Sequence, residues 1–403
     1  MTFPVVSLQD RQLALALDRA AAGRDLSREA AIRLLEPSAP LDLLFAAAAA
    51  LRDRGKGKVI TYSRKVFLPL TNLCRDRCGY CTFRRDPGDP DGWVMTPKQV
   101  LAVVEEGARL GCTEALFSLG DATEAVFPEA RAILERQGYR RTLEYLRAAC
   151  ALVLERSPLF PHANAGLMGE PDLLALKPVN ASMGLMLESA SPRLMEPGGP
   201  HHGAVTKHPR ARLRVMEIAG QMKIPFTTGL LIGIGETAEE RVDSLLTIRA
   251  LHERHGHIQE VIIQNFRAKP NIPMRDHPEP TLEEMLRTPA VARLILGPSM
   301  NLQAPPNLTQ GYGRLLEAGI NDWGGVSPLT RDFINPEAPW PHLDALRGVT
   351  EARGLLLRQR LPVYPEYILD LQEYLPPELA ERIRTSVDSD GLVPDNATAD
   401  ERR

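Results

Sequence analysis

From about residue 59 the chain alternates between short apolar runs and longer stretches with apolar residues at helical spacing. The runs stand at KVFLPLTN (65–72), EALFSLG (114–120), HANAGL (162–167), ASMGLMLES (181–189), FTTGLLIGIG (226–235) and EVIIQNF (260–266). Weaker ones follow at MNLQAP (300–305) and WGGVSP (323–328). Between them TPKQVLAVVEEGARLG, RRTLEYLRAACALVLE, HPRARLRVMEIAGQMK and TAEERVDSLLTIRALHERHG have the 3.6-residue period of helices packed on one face. Apolar strands separated by helices imply a parallel sheet covered on both sides. Six to eight such units predict an α/β fold, a TIM-like (β/α) barrel, complete or partial.

The flanks read differently. Residues 1–58 predict a helical N-terminal extension, with Ser27 and Glu29 near a capping-box register before LSREAAIRLLE. The barrel is assigned to 59–345, and 346–403 to a C-terminal helical extension whose polar tail, after about 385, is expected to fray.

Composition narrows the function classes. Charged residues are 25% of the chain and the net charge is −3, with both signs mixed, so the basic stripe that a nucleic-acid partner requires is missing. The opening MTFPVVSLQDRQLALALDRAAAG interrupts its apolar residues with Asp, Arg and Gln, unlike a secretory signal, and LDLLFAAAAAL is too short to span a bilayer. A cytoplasmic location with no membrane partner is the expectation.

Three of the five cysteines crowd into LTNLCRDRCGYCTF: Cys74, Cys78 and Cys81, spaced C-x3-C-x2-C. They follow the first predicted strand, where barrel enzymes carry their chemistry. Three readings compete. Buried free thiols are common, but Arg75, Asp76, Arg77 and Gly79 make this a polar loop. A structural zinc wants four ligands and no second cysteine pair exists, although a distant histidine could complete the set. A cubane iron–sulfur cluster normally takes four thiolates, so three would leave one iron open to another ligand. Cys112 and Cys150, set among apolar residues, read as structural.

Other stretches at strand ends are candidates with ordinary alternatives. SLGDATE offers Gly120 and Asp121, or a simple turn. ASMGLMLES ends in Glu188 and Ser189, with Ser189 and Ser191 also suited to cap the next helix. GLLIGIGET offers Gly229, Leu231, Gly233 and Glu236, or tight strand–helix packing with Thr237 and Glu240 as a cap.

The cysteine spacing, with an aromatic residue before the last cysteine, resembles the signature of the radical S-adenosylmethionine (SAM) superfamily. That resemblance implies a [4Fe-4S] cluster on Cys74, Cys78 and Cys81, whose open iron chelates the amino and carboxylate groups of SAM. It further implies SAM contacts from Tyr80, Gly120, Asp121, Glu188, Gly229, Leu231, Gly233 and Glu236.

Within the superfamily, LPLTNLCRDRCGYCTFRR, SLGDATE, PGGPHHGAVTKHP and WGGVSPLTRDFINPEAPWP are similar to the CofG-type subunit of FO synthase. FO is 7,8-didemethyl-8-hydroxy-5-deazariboflavin, the core of coenzyme F-420. The resemblance implies a radical SAM lyase that cyclises a hydroxybenzyl–ribityliminouracil adduct and releases ammonia. A CofH-type partner enzyme supplies that adduct, and an external donor supplies electrons. Polar residues at the expected barrel mouth are then substrate candidates: His201, His202, Asn265, Arg267, Ser327 and Arg331, with His208, Thr330 and Asp332 nearby. Other radical SAM enzymes (CofH-type, biotin-synthase-like or menaquinone-pathway) and, from another class, an iron–sulfur electron carrier remain open at this stage.

Overall fold

A computed structural model describes residues 8–394. Eight parallel strands form a closed barrel: β1 (Val59–Thr71), β2 (Glu114–Leu119), β3 (Phe160–Asn164), β4 (Ser182–Gly184), β5 (Phe226–Ile232), β6 (Ile258–Asn265), β7 (Leu302–Gln303) and β8 (Asp322–Val326). Each pairs with the next, and β8 returns to β1. Of the two forms expected, the barrel is the complete one. Strands run buried along most of their length because helices such as Pro97–Arg109, Ala238–His255 and Leu282–Leu296 cover the outside.

A ninth strand, β9 (Leu356–Gln359), is absent from the hydrophobic pattern. It pairs with the first residues of β1, Val59 to Tyr62, and so belongs to the sheet. The 346–394 segment is therefore not purely helical, and the expected boundary at 345 falls inside the helix Leu343–Glu351.

Arg360, next in sequence, reaches the base of the barrel and donates to Asp322 and Glu260. The expected fraying does not hold for residues 386–394. Val393 N–H donates to Gln359 O at 2.9 Å, Leu392 and Val393 are buried, and Arg358 pairs with Asp388 at 2.5 Å. The rest of the tail, 395–403, lies outside the described residues, as do 1–7.

The N-terminal helices Leu8–Ala21, Arg28–Leu35 and Leu41–Lys56 form as expected. Ser27 caps the second alone: its hydroxyl accepts from Ala30 N–H at 3.2 Å, and Glu29 stands one position too early for a reciprocal box. Buried Arg287, on Leu282–Leu296, ties this layer to the barrel through the carbonyls of Leu34, Pro37 and Ala39 at 3.2, 3.1 and 2.8 Å. Among the described residues no helix is long and apolar enough to cross a membrane.

Candidate active site

The loop after β1 folds back on the loop after β2. Gly120 lets the two backbones touch, since a Cβ there would stand 1.9 Å from Leu73 O and 2.8 Å from Cys74 Cβ. Arg75 N–H donates to Asp121 O at 3.1 Å, and Asp121 N–H donates to Cys74 Sγ at 3.3 Å. A second clamp comes from the Gly/Pro-rich loop 196–209. Arg77 N–H and Gly79 N–H donate to Gly203 O and Pro200 O, at 2.7 and 2.8 Å. The cysteine loop is thus fixed by backbone bonds on both sides.

Cys74, Cys78 and Cys81 line one cavity of about 260 Å³ at the C-terminal end of the barrel, with Asp76, Asp121 and Glu188. All three are free thiols. Burial pushes Cys74 up to about 11 and Cys78 up to about 12, so neither is comfortable as a bare thiolate. Bound iron would offset that cost, because its positive charge stabilises the thiolate form. Among the described residues no three His, Cys, Asp or Glu side chains are arranged around a single metal ion. A cubane asks for one thiolate per iron, not three sulfurs converging on one point. The donor set fits such a cluster.

Charges of both signs face the cavity. Asp121 accepts from Leu167 N–H at 3.1 Å, and burial raises its pKa above the usual carboxylate value. Glu188, four residues beyond β4, has a left-handed backbone with φ of 64°, which bulky residues adopt at a cost. That turn aims its carboxylate at Lys207, 2.5 Å away and mostly buried. Asp76 accepts from both the N–H and the hydroxyl of Thr206. Buried Arg212 donates to Thr206 O at 3.1 Å and to Met186 O. Asp76 stands on the cysteine loop and Arg212 on the helix Pro209–Gln221, each among other charged residues, so neither has a distinguishing signal in the sequence; Lys207 shares PGGPHHGAVTKHP with three histidines.

Several residues expected around SAM or substrate lie elsewhere. Of the 229–236 stretch, Leu231 lines the cavity. Gly229 instead lies against Ile262 O and Gly233 against the Pro280 ring, at 2.2 and 2.5 Å from a would-be Cβ. Glu236 accepts from Gly233 and Ile234 N–H at 2.8 and 2.9 Å and pairs with Arg241 at 2.7 Å. Its side chain is 3% exposed, so it holds the turn before the helix Ala238–His255, where Thr237 and Glu240 form the anticipated capping box.

The histidine pair is split. His201 is buried behind Tyr80, Nε2 to the phenol oxygen at 3.0 Å, and burial with Lys207 and Arg212 pushes it down to about 3. His202 is exposed, its Nδ1 3.4 Å from Met195 O. Asn265 and Arg267 do line the cavity, each donating to Leu308 O, at 3.2 and 2.9 Å. Ser327 closes a turn with Thr330, hydroxyl to hydroxyl at 2.8 Å. Arg331 points outward over the Phe333 ring at 5.4 Å. Cys112 and Cys150 are buried away from the site, and burial raises both thiols.

Residues 68–248 match the Radical SAM superfamily domain. The chain is 52% identical over 311 residues to the 7,8-didemethyl-8-hydroxy-5-deazariboflavin synthase of Methanopyrus kandleri, covering 77% of this chain and 93% of that protein. It is 50% identical over 398 residues to the FO synthase of Streptomyces avermitilis, covering 96% of this chain but 46% of the relative, so it spans about half of that longer protein. Among solved structures, the FeFe-hydrogenase maturase HydG from Carboxydothermus hydrogenoformans shares the fold, with a TM-score of 0.72 at 19% identity, covering 93% of this chain and 88% of that one. The chain belongs to the radical SAM superfamily and, within it, to the family of the 7,8-didemethyl-8-hydroxy-5-deazariboflavin (FO) synthases.

Proposed function

We propose that this chain is the CofG-type half of FO synthesis: a lyase that closes the central ring of a hydroxybenzyl–ribityliminouracil adduct and releases ammonia. The observation that carries this reading is the cysteine triad clamped at the mouth of a cavity with Asp121 and Glu188, in a chain of the FO synthase family. When bound, the [4Fe-4S] cluster supplies the electron that cleaves SAM, giving methionine and the 5′-deoxyadenosyl radical that takes hydrogen from the adduct.

The chain's own residues hold the reactants. Cys74, Cys78 and Cys81 are the cluster ligands in this reading. Asp121 offers an anion for the ammonium of SAM, a charge-assisted bond in a mostly buried place. Lys207 keeps Glu188 paired until a ligand's hydroxyl or ammonium competes for it. Leu231 and Phe266 add apolar wall against an adenine ring. The adduct comes from a CofH-type partner enzyme, the electron from an external donor, and the reaction runs in the cytoplasm.

The test is anaerobic reconstitution with SAM, dithionite and the CofH-type product, followed by quantification of 5′-deoxyadenosine and fluorescent deazaflavin. Both together support the assignment. Deoxyadenosine without deazaflavin moves the chain to another radical SAM reaction. Neither, with an intact cluster, favours an electron carrier.

A further inference from the structure

Beneath the cysteine-lined cavity lies an inner chamber of about 200 Å³. Ser118, Asn164, Met186, Gln264 and Ile334 line both spaces, so the two communicate. The charged groups of the chamber floor are already paired: Lys65 with Glu114 at 3.0 Å, and Arg360 with Glu260 at 3.0 Å. What remains unpartnered is neutral.

His162 on β3 is one such group, and its neighbours fix its tautomer. The Ser182 hydroxyl donates to Pro362 O at 2.7 Å. A hydroxyl has a single proton, so in its 2.7 Å contact with His162 Nδ1 the same oxygen accepts. Nδ1 therefore carries the ring proton and Nε2 presents a lone pair. Among the described residues Nε2 has no hydrogen bond, and Gly184 leaves room beside it, since a Cβ there would come to 3.0 Å. Burial, which prevails over the opposing pull of Glu114 and is reinforced by Lys65 and Arg360, pushes the imidazole down to about 4, so at neutral pH it stays an acceptor.

Two side-chain amides line the same chamber. Asn164 lies two residues further along β3, on the same face, and Gln264 faces the chamber from β6. Neither amide makes a hydrogen bond among the described residues. Each brings an NH2 donor. A cyclic imide edge reads C=O, N–H, C=O: acceptor, donor, acceptor. Its complement is one acceptor with donors to either side.

We propose that the inner chamber recognises the imide edge of the substrate's pyrimidine ring, His162 Nε2 accepting from the ring N–H and the Asn164 and Gln264 amides donating to the flanking carbonyls. This rests on the deazaflavin-forming reading above, because that product keeps the imide. Leu116, Ile262 and Trp340 supply apolar wall for the fused rings.

The test uses the cluster-loaded protein and the intrinsic fluorescence of FO. Dissociation constants are measured for FO and for its N-methyl-imide derivative, with wild type, His162→Ala and His162→Gln. Wild type is expected to bind FO about tenfold or more tighter than the methylated compound, the cost of leaving a buried donor or acceptor unmatched. H162A is expected to shrink that ratio below about threefold, and H162Q, whose amide oxygen can take the acceptor's place, to keep most of it. Iron content and substrate-free deoxyadenosine release report that each variant is folded. Equal binding of both compounds to wild type, no FO binding, or an unchanged ratio in H162A overturns the proposal. Deazaflavin formation by wild type is scored separately, so failure of the binding ratio leaves the reaction assignment standing.

Discussion

The guanidinium of Arg360 grips both carboxylate oxygens of Asp322, Nε to Oδ2 at 2.6 Å and NH2 to Oδ1 at 3.1 Å. The contact joins the segment after β9 to the first residue of β8, and Glu260 of β6 shares the same NH2 at 3.0 Å. Tyr364 stacks beneath, the guanidinium 4.1 Å from its ring centroid, and donates its hydroxyl to Glu260 at 2.8 Å. The base of the barrel is thus closed by a charge network lent from outside the eight strands.

Replacing Arg360 with Leu should cost about 3–5 kcal/mol, because two buried carboxylates lose their partner. Arg360→Lys should recover part of the loss, as an ammonium cannot reproduce the two-pronged grip. Urea unfolding measures both. A loss under about 1 kcal/mol for the Leu variant contradicts this account.

Glu236 is expected to matter for folding and not for SAM. Glu236→Gln weakens a turn that relies on two backbone N–H groups and Arg241, so its melting temperature should fall by several degrees. SAM affinity of the folded, cluster-loaded variant should remain within about threefold of wild type. A large rise in the SAM dissociation constant at unchanged melting temperature would reverse the assignment.

Cys74→Ala, Cys78→Ala and Cys81→Ala should each abolish cluster retention and deoxyadenosine release while leaving the barrel folded. Cys112→Ala and Cys150→Ala, remote and buried, should retain both at a cost of about 1–2 kcal/mol in stability. Iron per chain separates the groups in one assay. Full iron content in any of the first three variants sinks the ligand set.

Acid should destabilise the fold well above the carboxylate range. Burial holds His162 at about 4 and His201 and His257 at about 3, all below the ordinary 6.5. As pH falls through ~6.5 the unfolded chain takes up these protons and the folded chain does not, so each histidine lowers stability by about 1.4 kcal/mol per pH unit. The loss levels off below the folded values. Glu114 adds a later phase. Lys65, His162 and Arg360 outweigh its burial and hold it at about 2, so its contribution is full above ~4.5 and vanishes as pH drops towards 2. Unfolding free energy should be roughly 5–6 kcal/mol lower at pH 5 than at pH 7. A flat profile across that interval refutes the histidine account.

Much of the barrel was legible because parallel strands bury both faces, which writes them as apolar runs. The exceptions have physical causes. β4 runs regularly for only the three residues Ser182–Gly184 of ASMGLMLES; beyond it the Leu185 and Glu188 N–H groups donate to Thr227 O and Gly229 O of β5, and Glu188 is left-handed. β9 is four residues long with Leu356 exposed, too brief for any period to show.

At the site, cysteine spacing carried the triad because ligands must be close in sequence to share one loop. The partners Asp76, Lys207 and Arg212 were invisible, as a charge on a loop, a turn or a helix looks the same in the sequence whether it is buried or solvated. The glycine pattern of β5 has a packing reason of its own. Gly229 and Gly233 are required by Ile262 and Pro280, neighbours that no local spacing reveals.

The long first strand has a consequence for how the chain acquires its shape. The end of β1 that leads into the cysteine loop is held by β2, with Lys65 facing Glu114 only 49 positions away. Its opening half must wait for Asp322–Val326 and Leu356–Gln359. Contacts between near neighbours form sooner than those that close long loops. On a ribosome, the thiol-bearing end of the barrel can therefore take form while its base is still unmade, and the last staves to arrive are those that shut the end opposite the chemistry.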